Sequence, residues 1–233
     1  MNCKQMGQIY LGIHSFQIVR MEQYSSEGEE LRLFKGEKLE RNHDDDFIFY
    51  IRSGGFKICV RRADDTVIDF AYCVAGGILQ TNQFLMNAAP WDPAFFEAVE
   101  NSVVIRFTRK QFYNIICRDP ELFDQYVDNA SAYSTLLKQR LLLTSSPNSA
   151  QRIFTWLEKL CDCNEPGADG IFHIDCHLTQ KQVADLLFIH VTTCNKILSK
   201  LNSEHIAQLQ RGRLIIWDRK KLLKVSEENW KIF

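Results

Sequence analysis

The chain has 233 residues, of which 45% are hydrophobic and 24% charged, and its formal net charge is −1. That length allows one large domain or two ordinary ones with a real core, and the near-zero charge excludes partner selection by whole-protein electrostatics. The charge is nevertheless uneven. Between Lys196 and Lys224 stand Lys196, Lys200, Arg211, Arg213, Arg219, Lys220, Lys221 and Lys224, opposed only by Glu204 and Asp218. A basic stripe in a neutral protein suits either an anionic partner at one end or a solvated face.

The first residues, MNCKQMGQIYLGIHSF, contain neither a long apolar core nor a small-residue cleavage site, so no signal peptide is expected. The longest uncharged run, Phe70 to Trp91, is too polar to span a bilayer, and the expected location is the cytoplasm. The eight cysteines are scattered and form no C-x2-C pair. Buried small side chains and free thiols are the main expectation. A metal held by Cys161, Cys163, Cys176 and His177 is a weaker one, and a thiol switch at Cys161, Cys163 or Cys194 stays open.

From about residue 29 to 108 the pattern is β. Runs FIFYI (47–51), FKICVRR (56–62), VIDFAYCV (67–74) and SVVIRF (102–107) are separated by turn signals at 42–46, Ser53-Gly54-Gly55, Asp64-Asp65 and Gly76-Gly77. Such spacing predicts an antiparallel barrel or sandwich.

The period then changes. Asp119-Pro120 opens a helix that runs to about Thr144, roughly 37 Å at 1.5 Å per residue. Leu122, Tyr126, Asn129, Tyr133, Leu136, Arg140 and Leu143 form one row on it, and Phe123, Val127, Ala130, Leu137 and Leu141 a second. A helix apolar on two faces is expected to pack on its own domain with one and on a partner with the other.

Ser145-Ser146-Pro147-Asn148 ends this helix, and Asn148 with Gln151 predicts a capping box for the next, Ser149 to Cys161. NEPGADG (164–170) reads as a loop and FHI (172–174) as a short strand. LTQKQVADLLFIHVTTCNKILSKL (178–201) reads as two short helices separated only by F-I-H. Thr179 and Gln182 cap the first, which buries Val183, Leu186 and Leu187. The second begins near Val191 or Thr192 and turns Ile197, Leu198 and Leu201 inward, leaving Thr192, Thr193, Asn195, Lys196, Ser199 and Lys200 outside. A hairpin follows, Ile206–Gln210 and Arg213–Trp217 around Arg211-Gly212. Either the pair is a plain helical corner in a core, or it is a helix-turn-helix whose second helix enters a DNA major groove beside a basic wing. Asn, Lys and Thr are suited to adenine, guanine and the thymine methyl, respectively. The seam helix and the basic hairpin favour the second reading.

This order of elements resembles the Crp/Fnr family of bacterial transcription regulators over nearly the whole chain. The stretch FKGEKLERNHDDDFIFYIRSGGFKICVRRADDTVIDFAYCVAGG resembles its β-roll, with Gly36, Gly54 and Gly76 at the turns. LTQKQVADLLFIHVTTCNKILSKLNSEHI and RGRLIIWDRKKL resemble its DNA-binding segment. The implied fold is α+β: an N-terminal antiparallel, jelly-roll-like β-roll (1–118), a long dimerisation helix (119–145) and a C-terminal winged helix-turn-helix (146–233). The implied partners are double-stranded DNA with a near-palindromic operator, a second copy of the chain, a small-molecule effector and RNA polymerase, with no membrane. The implied DNA-binding residues are Thr179, Gln180, His190, Val191, Thr192, Asn195, Lys196, Lys200, Arg211 and Arg213.

Departures from the family matter. Phe188 stands where a turn glycine is usual, Val191-Thr192 where Arg-Glu is frequent, and Lys196 where Arg is, so a non-standard operator is expected. The family's cyclic-nucleotide binders use a Glu after the Gly-rich turn and a later Arg-Ser pair. Here the chain reads Ile78-Leu79-Gln80-Thr81 and Pro90-Trp91-Asp92-Pro93-Ala94, with no cation for a buried phosphate, so cyclic AMP is not expected. Only Cys3 precedes the roll, which argues against an iron–sulfur cluster. A haem ligand at His14 or His43 is a minor alternative to ordinary core or surface histidines. No cofactor is expected beyond a small organic effector, held by Leu79, Gln80, Asn87, Trp91 and Tyr133, although each could simply pack the roll. No catalytic signature is found, and the chain is not expected to be an enzyme. The rival reading is a small-molecule or redox sensor that works through protein contacts, its winged helix unused on DNA.

Overall fold

A computed structural model of the chain describes residues 8, 10–14, 16–39, 47–79 and 94–227. Packing divides them into two units. One is Ile13–Thr135, and the other takes in the chain from Leu136 together with Tyr10, Leu11 and Gly12.

The first unit holds two sheets. Strands β1 (Ile13–His14), β6 (Val67–Val74), β5 (Gly55–Arg61), β8 (Ala94–Ala98) and β3 (Lys38–Leu39) lie side by side in that order. The second sheet runs β2 (Glu29–Leu33), β9 (Ser102–Thr108), β4 (Phe47–Ser53) and β7 (Ile78–Leu79). All pairs are antiparallel except β1 with β6. The expected β-rich runs thus form strands close to the anticipated positions, and β4 buries four residues in succession, 48–51. Gly54 turns the chain from β4 to β5 at φ +83°, and a Cβ there would strike Ser102, so glycine is required on both counts.

A helix the β pattern had hidden, α1 (Arg109–Arg118), follows β9 directly. Thr108 and Gln111 make its capping box. Its Phe112, Ile115 and Ile116 close a core with Ile48, Tyr50, Ile78, Ile105 and Phe107, and with Ile18 and Met21 at the start of a 310 helix, Val19–Glu27. Next comes α2 (Pro120–Thr144), 25 residues long as expected. Its first turn is fixed by Asp119, whose Oδ1 accepts from the Leu122 amide at 3.2 Å. The other carboxylate oxygen accepts from Arg20 (2.6 Å), Tyr24 (2.7 Å) and Gln23 (3.1 Å). These donors, Arg20 foremost, hold the Asp119 carboxyl down at about 2.

The two rows on α2 part company. Leu122, Tyr126, Asn129, Leu136, Arg140 and Leu143 are buried, whereas Phe123, Val127 and Leu141 are 47%, 44% and 70% exposed.

The second unit contains α3 (Ser149–Asp162), β10 (Phe172–Asp175), α4 (Gln180–Leu186), α5 (Val191–Ser203), the hairpin β11 (Ala207–Gln210) and β12 (Arg213–Ile216), and α6 (Arg219–Glu227). The strands form one antiparallel sheet in the order β10-β12-β11. The expected capping box on α3 takes another form. Asn148 caps the Ala150 amide at 2.9 Å, and the Gln151 carbonyl oxygen accepts from Ser146 Oγ instead. Trp156 is fully buried, and its indole Nε1 donates to the Tyr10 carbonyl at 2.9 Å, while the Tyr10 hydroxyl donates to Gln139 at 3.2 Å. Tyr10 is therefore part of the C-terminal unit's core.

No helix among the described residues is long and apolar enough to cross a membrane.

Candidate nucleic-acid interface

The site is assembled from two helices and a hairpin. Thr179 caps α4: its Oγ1 accepts from the Gln182 amide at 3.2 Å, and Gln182 Oε1 accepts from the Thr179 amide at 2.8 Å. The box leaves the amides of the first turn pointing out of the helix end, a place that favours anions. Leu187-Phe188-Ile189 form the turn. His190 then caps α5, its Nδ1 accepting from the Thr192 amide at 3.3 Å and lying 2.7 Å from Thr192 Oγ1.

Helix α5 is anchored by Cys194, Ile197, Leu198 and Leu201, all buried, so its outward face is fixed. Val191, Thr192 and Lys196 are exposed on it, and Asn195 and Lys200 are half-buried. The Asn195 Oδ1 is shut off from solvent and makes no hydrogen bond among the described residues. A bidentate contact to adenine uses both ends of the amide. For such a contact Asn195 has to leave this rotamer, whereas Thr192 and Lys196 already stand exposed.

The wing turns at Arg211 (φ +52°) and Gly212 (φ +77°), the two-residue turn that suits strand twist. Its tip is pinned: the Gly212 carbonyl accepts from the amides of His177 (2.7 Å) and Cys176 (3.0 Å). A Cβ on Gly212 would lie 3.0 Å from His177 Cα. Wing and α4 are thereby locked together through two residues just ahead of Thr179. Between them runs an open groove of about 700 Å³, lined by Thr179, Gln180, Lys181, Val191, Asn195 and Arg211 among others. Arg213 reaches Asp175 at 3.3 Å, an exposed pair that an anion could replace cheaply.

The structure thus brings together Thr179, Gln180, Val191, Asn195 and Arg211 in the groove, with Thr192 and Lys196 exposed on the same helix as Val191 and Asn195. His190 serves as a cap. Lys181, which the sequence reading omitted, also lines the groove and pairs with Asp185 at 2.7 Å. Its place in the first turn of α4, next to Gln180, was the available signal.

Of the expected effector residues, Leu79 is buried in β7 and Tyr133 half-buried on α2. Gln80, Asn87 and Trp91 lie outside the described residues, as does His43. Among the described residues no group of three or more His, Cys, Asp and Glu is placed to hold a metal.

The C-terminal unit is a winged helix-turn-helix. Residues 151–225 match the Crp-like helix-turn-helix domain. Solved structures extend the likeness to most of the chain. CprK complexed with OCPA is 16% identical, with a TM-score of 0.81 over 93% of this chain and 97% of that one. CooA from Carboxydothermus hydrogenoformans, a double mutant, is 18% identical, with 0.74 over 91% and 96%. The c-di-GMP responsive global regulator CLP of Xanthomonas campestris is 12% identical, with 0.68 over 85% and 98%. No curated protein matches in sequence. The chain carries a Crp-like helix-turn-helix domain and has the α+β fold of the Crp/Fnr regulators.

Proposed function

We propose that the protein is a homodimeric, sequence-specific transcription regulator of the Crp/Fnr type, controlled by a small molecule other than cyclic AMP. The observation that carries this is the locked unit of α4, α5 and wing. Its groove and exposed Thr192, Lys196 and Arg211 make one face that a major groove and its flanking phosphates fit. The exposed apolar row of α2 supports the dimer, since Phe123, Val127 and Leu141 recur at heptad spacing on a helix whose other row is already buried. A two-fold dimer reads a near-palindromic operator with half-sites about one helical turn apart. The diversity named in the neighbouring structures, OCPA with CprK and c-di-GMP with CLP, supports a small-molecule effector on this fold. Leu79, Gln80, Asn87, Trp91 and Tyr133 remain the residues proposed for it, and RNA polymerase the further partner.

The test is selection from a random duplex library with purified protein, repeated in host extract and with cyclic AMP added. An enriched two-fold symmetric site is expected, unchanged by cyclic AMP. On that site Lys196→Ala should cost about 1–3 kcal/mol and relax preference at one base pair. A loss spread evenly over all sequences would make Lys196 a phosphate contact. No enrichment in any condition would transfer the reading to a sensor that works through protein contacts.

A further inference from the structure

The turn between α4 and α5 is gripped by two arginines from outside the helix-turn-helix. Arg140, on the long helix α2 and 5% exposed, donates from Nη2 to the Asp185 carbonyl at 3.0 Å. Its guanidinium carbon stands 4.7 Å from the centroid of the Phe188 ring. Arg152, on α3, donates from Nη1 to the carbonyls of Phe188 (2.9 Å) and Leu187 (3.2 Å), and from Nε to the Ser146 carbonyl at 2.5 Å. The carbonyls of Asp185, Leu187 and Phe188 lie at the end of a seven-residue helix and in its turn, and that of Asp185 also accepts from the Phe188 amide at 3.3 Å. Cations at a helix C-terminus are also favoured by its dipole. Phe188 itself is held at φ +50°, a strained place for a side chain with a ring. The ring that replaces a turn glycine is thus the surface on which Arg140 stacks.

We infer that Arg140 is a positioning residue for DNA recognition: it fixes the α4–α5 turn directly to the long helix, bypassing the Ser145–Pro147 connection. Arg140 is one residue from Leu141 of the exposed row, so the element proposed to pair two subunits also holds the turn that aims α5. A displacement of α2 at Arg140 is delivered to α5 through a hydrogen bond and a ring contact, whatever the intervening loop does. Arg152 supplies the second hold and ties the same turn to the loop at Ser146. Recognition-helix spacing is then set by the register of α2 at this point, and Phe188 is part of the coupling and no mere defect in the turn.

This inference rests on the dimeric DNA-binding reading, so the experiment has one arm that needs no DNA. Arg140→Gln and the milder Arg140→Lys are compared with the parent by hydrogen exchange and by binding to a spacing series of the selected operator and to a single half-site. In Arg140→Gln the amides of residues 185–190 should exchange roughly tenfold faster, while those of β4 and β9 are unchanged. The full site should weaken roughly tenfold and tolerate spacings one base pair off, with half-site affinity kept. Arg140→Lys, which keeps a donor but not the flat stack, should fall between. Phe188→Gly should relax the spacing preference while leaving the Asp185 contact protected. Unchanged exchange at the turn overturns the inference even if no operator is ever found. Equal losses on half-site and full site overturn it too, because Arg140 would then only support the fold. Failure of the parent to select any site strikes the DNA-binding reading and leaves the exchange arm to decide the clamp.

Discussion

The two units hold their key helix starts by opposite chemistry. In the roll unit, α2 begins on a carboxylate: Asp119 gathers Arg20, Gln23, Tyr24 and the Leu122 amide. In the C-terminal unit, the turn that launches α5 is held by cations on neutral carbonyls, Arg140 and Arg152 on residues 185, 187 and 188. A carboxylate titrates, whereas an arginine and a carbonyl do not. The roll should therefore yield to acid before the helix-turn-helix does, and the roll unit is the chemically adjustable one.

The sharpest way to break this comparison is to empty the other unit's core. Trp156→Ala removes a fully buried ring and the donor to the Tyr10 carbonyl. It should destabilise the C-terminal unit by about 3–5 kcal/mol. Trp156→Phe, which keeps most of the volume, should cost about 1 kcal/mol for the lost hydrogen bond. Denaturant unfolding followed separately through the two units by hydrogen exchange reads this out. An equal loss in β4 and β9 would mean that the units do not unfold independently.

Acid titration gives the next effect. Asp119 is depressed to about 2 in the folded protein, below the ordinary carboxylate value of about 3.9. A lowered folded pKa means stability that is fully present above about pH 4 and is lost as pH falls towards about 2. Asp119→Asn should flatten this limb of the roll's pH profile and leave that of the C-terminal unit in place. The C-terminal unit has its own lowered carboxyl, Asp169, but this is held chiefly by the Ile171 amide in an exposed loop. An acid limb that persists in the roll of Asp119→Asn would show that Asp119 is not its source.

How much of this was legible depends on which interactions speak through sequence. The strands Phe47–Ser53, Val67–Val74 and Ser102–Thr108 announce themselves by runs rich in β-branched and aromatic residues. β8 did not, since Ala94–Ala98 is short and holds no β-branched residue. α1 was missed although Thr108-x-x-Gln111 repeats the signal read at Thr179-x-x-Gln182, because it follows a strand without a break. The long helix shows two rows, but periodicity cannot say which one the chain itself covers. The structure answers with polar members: Asn129 donates to the Phe16 carbonyl at 3.1 Å and Arg140 to that of Asp185, so the row containing them is inward. The grip on Phe188 has no sequence signal, because its partners are 48 and 36 residues away.

The wing offers a smaller effect confined to one place. Gly212→Ala places a Cβ at φ +77° and against His177. It should cost about 1–2 kcal/mol and free the wing tip from residues 176 and 177. DNA affinity should drop with no change in half-site spacing, the reverse of the pattern expected for Arg140→Gln. A wing variant that altered spacing would erase the distinction between groups that aim α5 and groups that only touch the duplex.

The smallest effect separates the thiols. Cys194 lies on the recognition helix and Cys161 on α3, where oxidation could have switched DNA binding. Both are buried, and burial pushes the Cys194 thiol up to about 12 and that of Cys161 to about 11. At pH 7 the reactive thiolate of Cys194 is then on the order of one part in 10⁵. Cys117 is exposed and Cys163 half-buried, so among the described cysteines alkylation should label Cys117 first, then Cys163, and leave Cys194 intact in the native state. Operator affinity measured after one equivalent of label, and again under mild oxidant, should be unchanged. If oxidant weakens binding in a Cys3→Ser, Cys117→Ser, Cys163→Ser triple variant and the oxidised thiol is Cys161 or Cys194, that thiol must be reached through local opening of α3 or α5. The C-terminal unit would then be the adjustable one, against the contrast drawn from Asp119 and Arg140.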